Sequence, residues 1–539
     1  MPGIGAGDRY AYRLDGGIPR PDPASRSQPE GVHAASEVVD PTLFHWHDQG
    51  FRAPAWREVV LYELHVGTFS HSGKFHGVAK GLDRILASGA KVIELMPVAT
   101  FPGARGWGYD GVQLLAPQAA YGGAEELRAL VDACHVRGLA LVLDLVLNHF
   151  GPEGNYLGEF AEYASGTGTS WGQAIDLDGP GSRWVRHFLI ACACAWVDEF
   201  HLDGVRLDAV HAFRDRSPVH FVAELSAALH GVGVARGRPV WVIAESDLGS
   251  PLPVEEPHVG GWGCDAMWCD DFHHALHAAV TGERHGYYVD FGPAELLARA
   301  LERGAVQTGR RMRFRSGQHG SPSAFLDGAK RIVAAQNHDQ VGNRALGERL
   351  ATLAPGSEYA VAAALLTAPF VPLLFQGEEW GERAPFLYFT SLDDPELARA
   401  VSEGRRRERG PLSPDPQNPV LFERSRIDPE RGQAELTRWY RTLCDLRRAR
   451  PSLGPGAPGW TEAVAERGAL VVRRLAPFEE TLVLYNLTPR GVATELPRSR
   501  RGRWRLLLDA GGFGGPRSGR TAEETLALSG WGAVVLGSP

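Results

Sequence analysis

Leu139–His149, LALVLDLVLNH, is a run apolar at every position but Asp144 until it stops at two polar residues. A strand with one face in water alternates apolar and polar side chains, whereas a run with apolar residues on both faces needs cover on both, as in a parallel sheet. Just upstream, Leu127, Leu130, Val131 and Cys134 share one helical face, and Gly138 closes that helix. Helix, glycine and buried strand therefore make one βα repeat. Outward in both directions the same unit recurs. Val59–Leu64 and Val92–Met96 precede it, with Leu82, Ile85 and Leu86 on a helical face ended by Gly89 between them. Gly204–Leu207, Val240–Ala244, Asp265–Trp268, Ile332–Ala335 and Val371–Phe375 follow. Eight such strands, most separated by a helix, close most economically into a (β/α)8 TIM barrel rather than an open sheet. The expected fold class is α/β.

Two segments fall outside this alternation. Residues 1–52 read as a strand at Arg9–Leu14 followed by a Pro/Ser-rich tether, RPDPASRSQPEGVHAASEVVDP. From residue 451 the helical signal stops. Ala469–Arg474, Glu480–Asn486, Trp504–Leu508 and Gly532–Leu536 then read as β-runs between Gly, Pro and Arg, which predicts a small antiparallel β-sandwich over 451–539. The barrel occupies 53–450, with a short excursion at 149–180 after the third strand.

Composition sets bounds on partners. Of 539 residues, 44% are hydrophobic and 22% charged, ordinary for a globular chain, and the net charge of −8 argues against nucleic acid or an anionic membrane as partner. The cations are nearly all Arg; Lys74, Lys80, Lys91 and Lys330 are the only lysines. The cysteines, Cys134, Cys192, Cys194, Cys264, Cys269 and Cys444, form no C-x-x-C pair. The start, MPGIGAGDRYAYR, lacks the apolar core of a signal peptide, so reduced thiols and a cytoplasmic location are expected. Oligomeric state is not encoded in any pattern found here.

Chemistry-bearing residues gather where the strands end, the face on which barrel enzymes build their active sites. Strand three runs into Asn148-His149. Strand four is Gly204-Val-Arg206-Leu-Asp208, whose Arg and Asp point the same way. Strand five ends in Ala244-Glu245-Ser-Asp247, and strand seven in Gln336-Asn-His338-Asp339. Each motif alone has a plainer reading: a structural ion pair, a helix-starting acid, a turn or cap. Three carboxylates, an arginine and two histidines at the ends of four strands of one barrel are poorly explained by chance. A glycosidase needs this set, with one carboxyl to protonate the leaving oxygen and another to attack or assist from the opposite ring face. Asp208 beside Arg206 is expected to stay ionised, while Glu245 needs a drier setting to keep its proton. Asp339 suits an oxocarbenium-like transition state, and His149 and His338 suit sugar hydroxyls. Trp107-Gly-Tyr109-Asp110 offers an aromatic face for a sugar ring.

With these residues in place, the sequence resembles the α-amylase family of glycosidases over about residues 54–450. The resemblance rests on Asp144–His149, Gly204–His211, Glu245 and Asn337–Asp339, in the family's order. It implies Asp208 as nucleophile, Glu245 as acid/base and Asp339 as transition-state stabiliser, with Tyr109, His149, Arg206 and His338 around the cleaved sugar. Tyr62–Phe69, Trp268–His274, Gln336–Arg344 and Gln376–Gly381 resemble most the branch that cuts the α-1,4 bond next to a terminal trehalose, so a malto-oligosyltrehalose or α-glucan substrate is expected. Cys269 stands where that branch would have Asn. The resemblance also implies an amino-terminal sandwich, of which the chain carries what reads as the last strand. A chain cut short or given a misassigned start is expected to bare an apolar barrel face and to melt below an extended one.

Three other readings are weighed. A glycogen branching enzyme shares the trio but transfers chains; the continuation Asp339-Gln-Val-Gly-Asn-Arg344 fits trehalose release better. A general amylase would carry an acidic calcium cage of some six to eight oxygens, and 149–180 shows none, so no metal or cofactor is expected. A non-catalytic glucan-binding barrel would be expected to have lost one of the three carboxylates. Specificity for the leaving disaccharide is placed on His211, Asp247, Asp271, His274 and Gln340, which follow the catalytic strands.

Overall fold

A computed structural model describes residues 3–169, 172–466, 468–511 and 525–538. Eight parallel strands close one barrel: β1 Leu61–Leu64, β2 Val92–Leu95, β3 Ala140–Leu145, β4 Gly204–Leu207, β5 Trp241–Ala244, β6 Ala266–Trp268, β7 Arg331–Ala334 and β8 Val371–Phe375. The ring closes where Leu373, Leu374 and Phe375 pair with Leu61, Tyr62 and Glu63. Every strand residue is buried, because helices cover the outside and side chains fill the inside. These are the eight strands the apolar runs predict.

The period of two along a strand decides what fills the barrel. Leu61, Val92, Val142 and Ile243 belong to one aliphatic cluster on the axis. Two residues further along β1, β2 and β3 come Glu63, Glu94 and Asp144, and Arg206 on β4 lies in register with Asp144. The interior therefore changes from aliphatic to charged towards the carboxyl end of the strands. Gly204 allows β4 and β5 to approach: a Cβ there would lie 2.6 Å from the Trp241 carbonyl oxygen. The helix Gly123–Val136 buries Leu127, Leu130, Val131 and Cys134 as its periodicity requires.

The amino-terminal segment forms a short strand inside the stretch read as one. Strand pairing is confined to Arg9–Tyr10 against Ser36–Glu37, with one bridge between Tyr12 and Arg20. The Pro/Ser-rich stretch is bound to the barrel instead of hanging free. Arg26 pairs with Glu199 at 2.6 Å and Gln113 donates to the Val32 carbonyl. Asp48 is the main anchor. It is buried, and it accepts from His135, His201 and Arg238 at 3.0, 2.9 and 2.7 Å, three groups from three helical units at the bottom of the barrel. Burial pushes the Asp48 carboxyl up, but hydrogen bonds from Arg238, His201 and His135 outweigh it and hold the group well below the usual carboxylate range.

Beyond the barrel, β9 Thr461–Glu466, β10 Ala469–Ala476, β11 Glu479–Asn486, β13 Arg505–Asp509 and β15 Ala533–Ser538 form an antiparallel sheet in the order β9-β10-β11-β15-β13. A second pair joins β12 Val492–Glu495 to β14 Thr525–Leu528. The first, fourth and sixth of these seven strands by sequence, β9, β12 and β14, were not read from the sequence, since they mix polar with apolar residues. Arg447 and Arg474 tie the barrel to this sheet. Both are buried without a carboxylate partner among the described residues, and they donate to the Leu366, Thr367, Ala368 and Phe370 carbonyls at and just past the end of helix Glu358–Leu366. The Leu366 and Thr367 carbonyls lie at the negative end of the helix dipole. Among the described residues no helix is long and apolar enough to cross a membrane.

Candidate active site

Arg206 occupies the centre of the charged layer. Its side chain is fully buried, lies over the Trp268 ring at 4.3 Å, and donates to Asp144 at 2.6 Å. The same guanidinium reaches Asp208 at 3.2 Å and Glu245 at 2.9 Å. One rigid cation thus holds the carboxylates at the ends of β4 and β5 together. Asn148, at the end of β3, donates to Asp208 at 3.0 Å. Glu245 accepts the Ala209 backbone N–H at 2.8 Å. That contact requires Ala209 in a left-handed conformation, φ 40°, which costs a residue with a Cβ of order 1 kcal/mol.

Arg206 is not the only influence on Asp208. Burial and the nearby charge of Glu245 push the Asp208 carboxyl well above its ordinary value, and the arginine only partly offsets them. The drier of the two carboxyls is therefore Asp208, its side chain 12% exposed against 20% for Glu245. Glu94, below them, is fully enclosed; burial and the charge of Glu63 push it up, and one of its oxygens has no partner among the described residues.

His338 lies on the other side of Arg206. Glu63 accepts both its backbone N–H at 3.0 Å and its Nδ1 at 2.5 Å. Its Nε2 lies 2.8 Å from the Tyr109 hydroxyl and 3.5 Å from Asp339. The Tyr109 hydroxyl in turn donates to Asp144 at 2.6 Å, and its ring stacks on His338. Gly108, at φ 98°, lets this loop turn tightly under Pro97: a Cβ would meet the Pro97 carbonyl oxygen at 2.1 Å. His149 is more occupied than expected, because Nδ1 bonds Asn148 at 2.6 Å and Nε2 the Tyr109 carbonyl at 2.9 Å. It braces the Tyr109 loop.

Past Glu245 the cleft opens into a pocket lined among others by Asp247, Trp268, Asp270, His274 and Arg315. Asp247 pairs with Arg315 across its rim, and its backbone N–H donates to His211 at 3.2 Å. His274 packs against Tyr287 and Phe291, and burial holds it down at about 3. Gln340 donates to Asp270 at 3.2 Å. Asp271 also lines this cavity. Its carboxylate accepts the Val306 and Gln307 backbone N–H groups at 2.6 and 2.8 Å and so anchors a turn. Asp270 beside it lines the same cavity; desolvation there, then the charges of Glu245, Asp339 and Asp247, push its carboxyl up.

The predicted Tyr109, His149, Arg206, Asp208, Glu245, His338 and Asp339 therefore come together at one end of the barrel. Glu63, Glu94, Trp268 and Asp270 join them unannounced. For Glu63 and Glu94 a signal existed: an acid two residues beyond an inward-facing aliphatic in an apolar strand.

The α-amylase catalytic-domain profile matches residues 63–174. The chain is 44% identical over 488 residues to the malto-oligosyltrehalose trehalohydrolase of Arthrobacter ramosus, covering 88% of this chain and 84% of that one. It is 44% identical to the enzyme of the same name from Saccharolobus solfataricus, covering 83% and 79%. A 1,4-alpha-glucan branching enzyme from Rhodococcus jostii is 28% identical over 73% of this chain and 56% of its own. Among solved structures, a Salmonella typhimurium protein described as an alpha amylase superposes with a TM-score of 0.88 at 35% identity, covering 100% and 91%.

Proposed function

The chain belongs to the malto-oligosyltrehalose trehalohydrolases of the α-amylase family, and from that premise we propose that it hydrolyses the α-1,4-glucosidic bond next to the terminal trehalose of malto-oligosyltrehalose, with Asp208 as nucleophile. The observation that carries the assignment is the Arg206 guanidinium reaching Asp208 and Glu245 at once. Two carboxyls on one cation repel each other if both ionise, so the pair favours holding a single proton. With that proton on Glu245, the acid can protonate the oxygen leaving towards the pocket beyond it while Asp208 attacks C1 from the opposite face. The bond to the leaving oxygen breaks as the bond to Asp208 forms. Glu245, now ionised, then takes a proton from the water that releases the sugar, and the anomeric configuration is retained. Asp339, beside His338, stabilises positive charge developing on the ring, and Tyr109 and His338 form its wall. The trehalose unit leaves into the cavity.

The experiment is product analysis on maltopentaosyltrehalose and maltoheptaose in parallel. Trehalose with α-configured maltopentaose from the first, and little cleavage of the second, is expected. Asp208→Asn and Glu245→Gln should each lower turnover by at least about 10³-fold. Branched longer chains, or mixed maltodextrins from both substrates, would refute the trehalose-releasing reading.

A further inference from the structure

We propose that Glu63 is a positioning residue which holds His338 as an imidazolium cation against the cleaved sugar's subsite, so that the charge and not only the orientation of His338 serves the reaction. The inference rests on the proposed function for the location of the subsite, and on hydrogen-bond direction for the charge. The Tyr109 hydroxyl has one proton, and the 2.6 Å contact to Asp144 takes it. Towards His338 the same oxygen can only accept, so Nε2, 2.8 Å away, must carry a proton. On the other side, Nδ1 faces a Glu63 carboxylate oxygen at 2.5 Å, and a carboxylate only accepts. Both ring nitrogens then bear protons, which defines the cation.

The surroundings agree. His338 and Glu63 are each about 1% exposed, so their pair is barely screened by water. Glu63 also accepts the His338 backbone N–H, which fixes the residue before its ring is placed. Other groups facing the ring are Asp339 on its own segment, Asp144 on β3 and Arg206 on β4, with Glu94 on β2 and His65 after β1 further off. Burial lowers the imidazolium's hold on its proton, but the charges of Glu63 and Asp339 outweigh burial and Arg206, and raise it to about 9. The consequence for the site follows from its charges. A second fixed cation beside Arg206 lies 3.5 Å from Asp339 and holds that side chain towards the cleaved sugar. None of the sequence motifs assigned Glu63 a part.

The test uses Glu63→Gln, Glu63→Ala and His338→Gln in the full chain. Glutamine is nearly isosteric. Its carbonyl still accepts the backbone N–H, but its amide donates to Nδ1 and so forces a neutral ring with its proton on Nε2. Nitrogen-15 spectra of histidine-labelled protein at pH 7.5 should show one imidazolium that His338→Gln lacks and that Glu63→Gln converts to a neutral ring. On maltopentaosyltrehalose, Glu63→Gln should lose about 10- to 100-fold in kcat with KM within about threefold, the size of one lost charge-assisted hydrogen bond. Glu63→Ala should lose orientation as well and raise KM. A neutral His338 in the wild-type protein would overturn the proposal, and that spectrum does not depend on any variant folding. An imidazolium that persists in Glu63→Gln, or a kcat within twofold of wild type, would overturn it too. Absence of trehalose among wild-type products would count against the proposed function alone, since the spectrum reads the cation without substrate.

Discussion

Replacing Glu379 with Gln should leave the protein's stability unchanged in acid and raise it in alkali. Glu378 and Glu379 follow β8 and are both buried, Glu379 completely. Tyr62 donates to one Glu379 oxygen at 3.2 Å, and the other oxygen has no partner among the described residues. Burial pushes this carboxyl from 4.5 to about 8. In the unfolded chain the group ionises near 4.5, so between 4.5 and 8 the folded state holds a proton that the unfolded state has released. Stability therefore falls as pH rises through that window, with no penalty below 4.5 and the whole of it above 8. A shift of about 3.5 units corresponds to about 5 kcal/mol at 1.36 kcal/mol per unit. At about 2.1 cal/mol/K per residue, the melting entropy of 539 residues is about 1.1 kcal/mol/K, which makes the difference about 4 °C. Glutamine cannot titrate and keeps an acceptor for Tyr62. The assay is thermal unfolding of both proteins at matched ionic strength from pH 5 to 9. Near-equal midpoints at pH 5 and a variant about 4 °C higher at pH 9 are expected. A difference between the two proteins that stays constant across the range would refute the reasoning, because Glu378, pushed to about 7, is common to both.

Further outcomes separate structure from recognition. Asp271→Ala should cost about 1–3 kcal/mol in chemical denaturation, since two backbone N–H groups lose their acceptor, while the trehalose-to-maltose product ratio stays put. Asp270→Ala should do the reverse, raising KM for maltopentaosyltrehalose about tenfold with an unchanged midpoint; equal behaviour of the two variants would refute a division of roles between them. Asp48→Ala leaves Arg238 and two histidines around an empty position, so a loss of about 3–5 kcal/mol and faster proteolysis within residues 3–52 are expected. Activity should survive a chelator. In the excursion after β3, Glu153, Glu159, Asp176 and Asp178 are held by the Asp393 N–H, Arg20, the Gly179 N–H and Arg216, and activity lost to chelator and restored by calcium would contradict this.

How much of this was legible in the sequence depends on how far each property reaches. Strands buried on both faces declare themselves through local composition, so all eight barrel strands could be placed, and with them the residues at their ends. Glu63 and Glu94 were readable in principle, because their period-two offset from Leu61 and Val92 puts them inside the barrel whatever the loops do. Asp270 and Asp271 were not. Adjacent residues in a first helical turn point about 100° apart, and only the angle at which β6 delivers the chain decides which one meets Gln340 and which one the 304–307 turn. The amino-terminal stretch failed for a related reason: Pro and Ser predict an absence of regular structure, and whether an irregular segment is bound depends on Asp48 finding Arg238 and two histidines from distant parts of the barrel. Asp208 marks a further limit. Its pairing with Arg206 was plain from the spacing, but its protonation is a balance between burial, Glu245 and that arginine. The sign of such a balance follows from distances that only the closed barrel sets. The same holds for His338, whose charge is decided by which way one tyrosine hydroxyl points.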